Sequence, residues 1–394
     1  MNNDNTFPMK EKDIIYFDNA ATTFKPNRVI KKILDYYENY SANSHRGDYD
    51  ISFKVDDMID YTRDNVKKFI NAKRKEEIIF TKNTTDSLNM IVFGFFLKYL
   101  KSGDEVILSS SEHASNILPW LVLSTKKNIK IVFVDSIHEK LNINDLVNKI
   151  TDKTKVISLA HITNVSGDKR DIKKICELAH SKNILVVVDG AQSVPHIKVD
   201  VQKLDIDFLA FSAHKMCGPT GVGILYGKYE LLNEMIPFEY GGGMNLNYDE
   251  NSLKLLDIPY RFEAGTLDIA SIIGFGESID FLNEIGFQNI EKKEKELKKY
   301  LISKLEEIPY IKIYNKNCEG STIIINIDGI LSGDLGLYLN SKKICVRSGK
   351  HCAKMGDNKE DTVRISLYFY NTYEEIDYLV NVLKNKEEIE KFSK

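Results

Sequence analysis

The chain has 394 residues, 43% of them hydrophobic and 28% charged, with a net charge of −3. That length suggests two domains around a large buried core. The near-neutral balance gives no field to gather nucleic acid or an anionic membrane. The longest apolar stretch, 90–100, is interrupted by Gly94 and Lys98 and is too short to span a bilayer. Met1-Asn2-Asn3-Asp4 does not begin a secretory signal. The five cysteines are scattered, with no C-x-x-C, which predicts free thiols in a reducing, cytoplasmic setting.

Along the chain, 54–70 carries Val55, Met58, Ile59, Val66, Phe69 and Ile70 on one stripe and predicts an amphipathic helix. Short β-rich runs then alternate with helix-like stretches, at 77–81, 106–108, 129–134, 156–159, 184–188, 208–211 and 223–226. Continuous apolar runs of this kind suit strands covered on both faces, hence a mostly parallel sheet. The pattern predicts a three-layer α/β domain over 25–265. Beyond it, Ile290, Leu297, Leu301, Leu305 and Ile308 mark a long amphipathic helix, and 322–327 and 363–367 read as strands. These predict a smaller α+β domain from 266–394, joined by 1–24. The charged tail, 384–394, reads as a solvated helix end.

The residues that carry chemistry stand at the ends of these runs, where open α/β sheets bind ligands. Lys215 closes Ala210-Phe211-Ser212-Ala213-His214-Lys215, and Asp189 opens Asp189-Gly190-Ala191-Gln192. A lysine for a Schiff base and a carboxylate for a protonated pyridine nitrogen are what pyridoxal 5′-phosphate requires. Burial and nearby cations would free the amine of its proton. Ser212 and His214 can bind the phosphate, and Gln192 the ring hydroxyl. Thr84-Thr85-Asp86 reads as a helix N-cap and equally as a phosphate cradle. His113 lies at another strand end and can serve as an acid–base group near neutral pH. Cys352 sits in Arg347-Ser348-Gly349-Lys350-His351-Cys352-Ala353, and cationic neighbours favour a thiolate. Cys345, His351 and Cys352 lack the paired spacing of a zinc site, so no metal is expected. Arg364 interrupts an apolar strand and can offer its planar fork to a carboxylate. Each feature has a plainer reading alone: a surface lysine, a turn-forming aspartate, a packed cysteine. The last reading suits Cys176.

Together these stretches resemble the cysteine desulfurases of the class V aminotransferase family, and among them the branch that holds SufS and the selenocysteine lyases. Tyr16-Phe17-Asp18-Asn19-Ala20-Ala21, His45-Arg46-Gly47, Asn164-Val165-Ser166-Gly167, 261–266 and 364–372 match as well. The resemblance implies a fold-type I pyridoxal-phosphate enzyme working as a homodimer. Lys215 would be the Schiff-base lysine and Asp189 the partner of the pyridinium. His113 would stack on the ring, with Gln192 and Asn164 near its hydroxyl. Thr84, Thr85, Ser212 and His214 would bind phosphate, and Gly265 and Thr266 would reach the phosphate site of the partner subunit. Arg364, with Asn164, His45 and Arg347, would bind substrate, and Cys352 would carry a persulfide. The implied reaction converts L-cysteine to L-alanine. Sulfur then passes to an acceptor protein of the SufE or SufU kind, for iron–sulfur cluster assembly or thiolation. Selenocysteine lyase or another class V reaction is the alternative. The short spacing from Cys352 to Arg364 implies a short, ordered loop. Two departures stand out: Lys350 replaces a common histidine, and Gly333 stands where relatives served by a zinc-bearing acceptor often place one.

Overall fold

The computed structural model describes residues 6–44, 47–137, 139–353 and 360–393. His45 and part of the expected loop after Cys352 lie outside the described residues. The large sheet has seven strands: β1 (Ile78–Thr81), β2 (Glu105–Ser109), β3 (Lys130–Val134), β4 (Thr154–Ala160), β5 (Leu185–Asp189), β6 (Phe208–Ser212) and β7 (Gly223–Gly227). Their spatial order is β1-β7-β6-β5-β4-β2-β3. The run from β6 to β3 is parallel throughout. β7 is antiparallel to both its neighbours. These strands are the apolar runs read from the sequence, and the reason is burial on both faces. Ile107, Ile157, Val186 and Leu209 face one core, while Val106, Val156, Val187 and Ala210 face the other. A strand with two buried faces has no polar alternation to show.

Helices Asn27–Asn39, Asp50–Phe69 and Ile269–Ile285 pack together over the first of these cores. Twelve of the 17 residues of Ile269–Ile285 are buried, and its apolar residues belong to that core. A helix apolar on all sides must be covered on all sides. This helix therefore packs with the large unit, although it lies beyond residue 265, where the sequence places that unit's end.

A second sheet follows, with β8 (Ile311–Ile313), β9 (Thr322–Ile327), β10 (Arg347–Gly349) and β11 (Thr362–Ser366) in the antiparallel order β8-β9-β11-β10. Helix Phe287–Leu305 covers it through Leu297, Leu301 and Leu305. Phe17 joins the same core, and Ile15–Tyr16 pairs in parallel with Ile344–Cys345. The N-terminal segment is thus stitched to the small sheet. The charged tail is not simply solvated. Helix Lys386–Phe392 buries Ile389 in the small core, and the Tyr338 hydroxyl donates to Glu388 at 3.0 Å.

One buried ion pair fixes the segment leading to Gly265. Arg63, 1% exposed, donates from Nη1 and Nη2 to the two carboxylate oxygens of Glu263 at 2.7 Å each. The amide of Phe80 donates to the same carboxylate at 2.8 Å. Removing one partner of such a pair leaves an uncompensated charge in the core. Arg63→Ala is therefore expected to lose roughly 3–5 kcal/mol of stability, read as a lowered denaturant midpoint. A shift under roughly 1 kcal/mol, the level of a surface pair, would contradict this account.

Candidate active site

A cavity of about 340 Å³ opens at the carboxyl ends of the large sheet's parallel strands. The loops after β1, β2, β4, β5 and β6 all reach it. They contribute Thr84 and Thr85, His113, Asn164, Asp189 with Gln192, and Ser212 with His214 and Lys215. From the small sheet come Arg347 and Arg364, with His351 from the turn after β10.

The threonines open helix Thr84–Met90, but they do not cap it. The cap is Asn83, whose side chain accepts from the Asp86 amide at 3.0 Å. The Asn83 backbone lies against Gly223, where a Cβ would come within 2.6 Å of the Asn83 Cα. Only glycine lets the two chains pass there. Ser212 Oγ accepts from the Thr84 amide at 2.7 Å and bonds the Thr84 hydroxyl at 2.6 Å. Three hydroxyls, on Thr84, Thr85 and Ser212, thus line one end of the cavity.

Lys215 ends the short turn Ala213–Lys215 after β6. Burial pushes its amine down to about 8, helped by Arg364 and Arg347 and opposed by Asp189 and Asp18. Asp189 ends β5; its Oδ1 accepts from the Ala191 amide at 2.9 Å, and burial pushes its carboxyl up. Gln192 donates to the Ala20 carbonyl at 2.7 Å. Burial, then the Lys215 charge, pushes His214 down to about 4, and its carbonyl accepts from the Thr22 hydroxyl and the Thr23 amide at 3.0 Å each.

His113 differs from the expectation of a group that titrates near neutral pH. Burial, then Lys215 and Arg364, pushes it down to about 4. Its Nδ1 accepts from the Ser115 amide at 3.1 Å, so the neutral ring carries its proton on Nε2. The loop is pinned by Glu112, which is fully buried and paired with Arg170. Glu112 also accepts from the amide of Ala160 and the side chain of Asn116, each at 2.8 Å.

Asn164 joins the two sheets. Its side-chain nitrogen donates to the His351 carbonyl at 2.8 Å, and its own carbonyl accepts from Arg364 Nη1 at 2.9 Å. Its Oδ1 is buried without a partner. Arg364 is 2% exposed; Nη2 donates to Asp18 at 2.9 Å and Nε has no partner. Burial, then the two arginines, pushes His351 down to about 3.

Cys352 is exposed and does not line the cavity; the adjoining His351 does. The Cys352 carbonyl accepts from the Ala114 amide at 2.8 Å, which ties it to the loop of His113. Gly265 and Thr266 lie apart from the cavity of their own chain. With Asn43 and Ser44 they line a separate hollow of about 90 Å³. Nothing local in the sequence assigns an individual role to Asp18, Ser115 or Glu112. Asp18 stood inside a matched stretch, but nothing local shows that it reaches two arginines far along the chain.

The cavity suits pyridoxal 5′-phosphate. The lysine amine is half freed of its proton near pH 8, a carboxylate stands at the neighbouring strand end, and hydroxyls cluster at one side. The unpartnered Asn164 Oδ1 awaits a donor such as a ring hydroxyl. Residues 15–379 match the model of the aminotransferase class-V family, and the chain belongs to that family. Its fold is that of the fold-type I pyridoxal-phosphate enzymes. A probable cysteine desulfurase of Ureaplasma parvum is 42% identical over 380 residues, covering 95% of this chain and 94% of the relative. One of Staphylococcus aureus is 40% identical, covering 96% and 93%. Among solved structures, the cysteine desulfurase of Thermococcus onnurineus superposes with a TM-score of 0.93 at 34% identity, over 98% of this chain and 97% of that one. The cysteine desulfurase CsdA of Escherichia coli gives 0.92 at 31% identity, over the same shares.

Only the unprotonated amine of Lys215 can attack an aldehyde. The rate at which cofactor-stripped protein takes up pyridoxal phosphate should therefore rise about tenfold per pH unit below 8 and level off above it. Absorbance after mixing measures it. A rate still climbing beyond about pH 10 would place the amine at an ordinary lysine value.

Proposed function

We propose that this chain is a cytoplasmic, homodimeric cysteine desulfurase of the SufS-like branch. It takes sulfur from L-cysteine, releases L-alanine, and hands the sulfur to an acceptor protein of the SufE or SufU kind for iron–sulfur cluster assembly or thiolation. The observation that carries the reading is the meeting of Lys215, Asp189 and Arg364 in one cavity, with the exposed Cys352 one residue beyond it.

When bound, pyridoxal phosphate supplies an electron sink that makes the substrate's Cα–H acidic. Lys215 and Asp189 would hold it, Thr84, Thr85, Ser212 and His214 would bind its phosphate, Gln192 and Asn164 would serve its hydroxyl, and His113 would pack against its ring. Arg364, buried and fixed by Asn164 and Asp18, grips the substrate carboxylate, with Arg347 beside it. Lys215 Nζ takes the Cα proton, which an amine poised near 8 can accept and return. Cys352, exposed, gives its thiol proton to solvent, and its thiolate sulfur attacks the substrate sulfur. A sulfur–sulfur bond forms, the carbon–sulfur bond breaks, and its electron pair stays with the carbon. The terminal sulfur leaves on Cys352 as a persulfide. The carbon then takes up the proton that Lys215 Nζ returns. Gly265 and Thr266, absent from this cavity, would complete the site of the partner subunit.

Cys352→Ala is expected to keep the colour of bound cofactor and to form neither persulfide nor sulfide from cysteine. Mass spectrometry of Cys352 after incubation with cysteine, with and without candidate acceptors, tests the same step in the unaltered protein. Undiminished cysteine turnover in the alanine variant would remove Cys352 from the mechanism. Lys215→Ala is expected to stop alanine release altogether, and turnover at a rate near that of the unaltered protein would overturn its role.

A further inference from the structure

The register of the small sheet sets Arg347 directly opposite Arg364, across β10 and β11. Like charges in that relation repel. Arg364 is 2% exposed, whereas the Arg347 side chain is 42% exposed and can turn into solvent. What stands between them is Asp18. Its Oδ1 accepts from Arg364 Nη2 at 2.9 Å, and its Oδ2 lies 3.3 Å from Arg347 Nε. Both oxygens of one carboxylate are spent on holding two guanidinium groups together.

Asp18 is held rigidly to do this. Its backbone bridges Ser366 in parallel, two residues along β11 from Arg364 and on the same face. The Ser366 amide donates to the Phe17 carbonyl at 2.7 Å, and the Ala20 amide donates to the Ser366 hydroxyl at 3.0 Å. The Tyr16 hydroxyl donates to the Asp18 carbonyl at 3.2 Å. With Nη2 on Asp18 and Nη1 on Asn164, Arg364 is fixed in one orientation, and its buried Nε is left without a partner. A buried guanidinium donor without an acceptor is costly, and an arriving carboxylate supplies one.

We propose that Asp18 is a positioning residue that keeps Arg364 and Arg347 side by side as one receptor for the substrate carboxylate. The inference rests on the reading of Arg364 as the carboxylate anchor. Asp18 acts through the arginines, so its loss weakens capture of the substrate more than the chemistry that follows. Without its charge the two guanidinium groups repel, and the exposed Arg347 swings into solvent.

Asp18→Asn keeps the shape and removes the charge. In the holoenzyme it should raise KM for cysteine about tenfold or more and leave kcat within about threefold. Calorimetry with 3-mercaptopropionate, which carries the thiol and the carboxylate but no amine, should show a matching loss of affinity. Arg347→Gln should weaken the same ligand, and the double variant should be no weaker than the worse single one, because both changes break one unit. An unchanged or lowered KM, a fall in kcat alone, or effects that multiply in the double variant would overturn the assignment. If Asp18→Asn loses its cofactor or its fold, Asp18→Asn with Arg347→Gln, which removes the repelling partner, should recover both; failure to recover would also overturn it. If the unaltered protein releases no alanine from cysteine, the proposed function falls, while the 3-mercaptopropionate measurement still judges Asp18.

Discussion

The site depends on taking one primary amine out of water. Lys215 follows β6, every residue of which is buried, and that setting disfavours its charged form. The buried Arg364 and the exposed Arg347 add to the effect, and two aspartates limit it. The balance leaves the amine near 8, where it can both lose and hold a proton. The parallel sheet makes this arrangement repeatable. Its register places Ala160 beside Asp189 and Asp189 beside Ala210, so neighbouring strands end at one level. Groups far apart in sequence are thereby delivered to one edge, each on a short loop.

The second sheet brings what the first lacks, two guanidinium groups at the cavity of the amine. Both arginines lie on its strands, and Asn164 couples Arg364 and His351 to the large sheet through hydrogen bonds in both directions. The site is therefore a seam. Moving the small sheet relative to the large one would separate Arg364 from Lys215 and free the buried Asn164 at the same time. The Glu112–Arg170 pair does similar work on the other side of the cavity. It lies under the loop of His113 and ties that loop to β4 through the Ala160 amide.

Much of this was legible in the sequence because burial leaves a mark there. All seven strands of the large sheet are apolar runs, and Asp189, Ser212 and Lys215 stand at or just past their ends. What was hidden depends on geometry between distant segments. Asn83 and Thr84 are both capable caps, and only the backbone decides that Asn83 serves. β7 reads like its neighbours, since an apolar run carries no sign of direction. Ile269–Ile285 lies past the expected boundary, yet a helix with most of its residues buried belongs to the core that covers it. The His113 segment reads like that of any acid–base histidine, and its low value comes first from burial and then from Lys215 and Arg364, over 100 and 250 residues further on. The arginine pairing needs the register of β10 on β11, and no local pattern encodes a register between a short polar strand and its partner.

The thiols show the same contrast between burial and use. Burial pushes Cys176 and Cys217 up to about 12 and Cys318 to about 11. At neutral pH these are packing groups with almost no thiolate. Cys352 is exposed instead, and the backbone is bent to present it. His351 and Cys352 have φ of +52° and +60°, a left-handed pair without glycine, directly after β10 and close to Gly349 at +109°. Such conformations cost of order 1 kcal/mol or more each and persist only where surrounding bonds enforce them. Here the enforcing bonds run to the site itself, from Asn164 to the His351 carbonyl and from Ala114 to the Cys352 carbonyl. The strain is held by Asn164, which lines the cavity, and by Ala114 in the loop of His113, so the one exposed thiol is placed by segments that border the cavity of the amine.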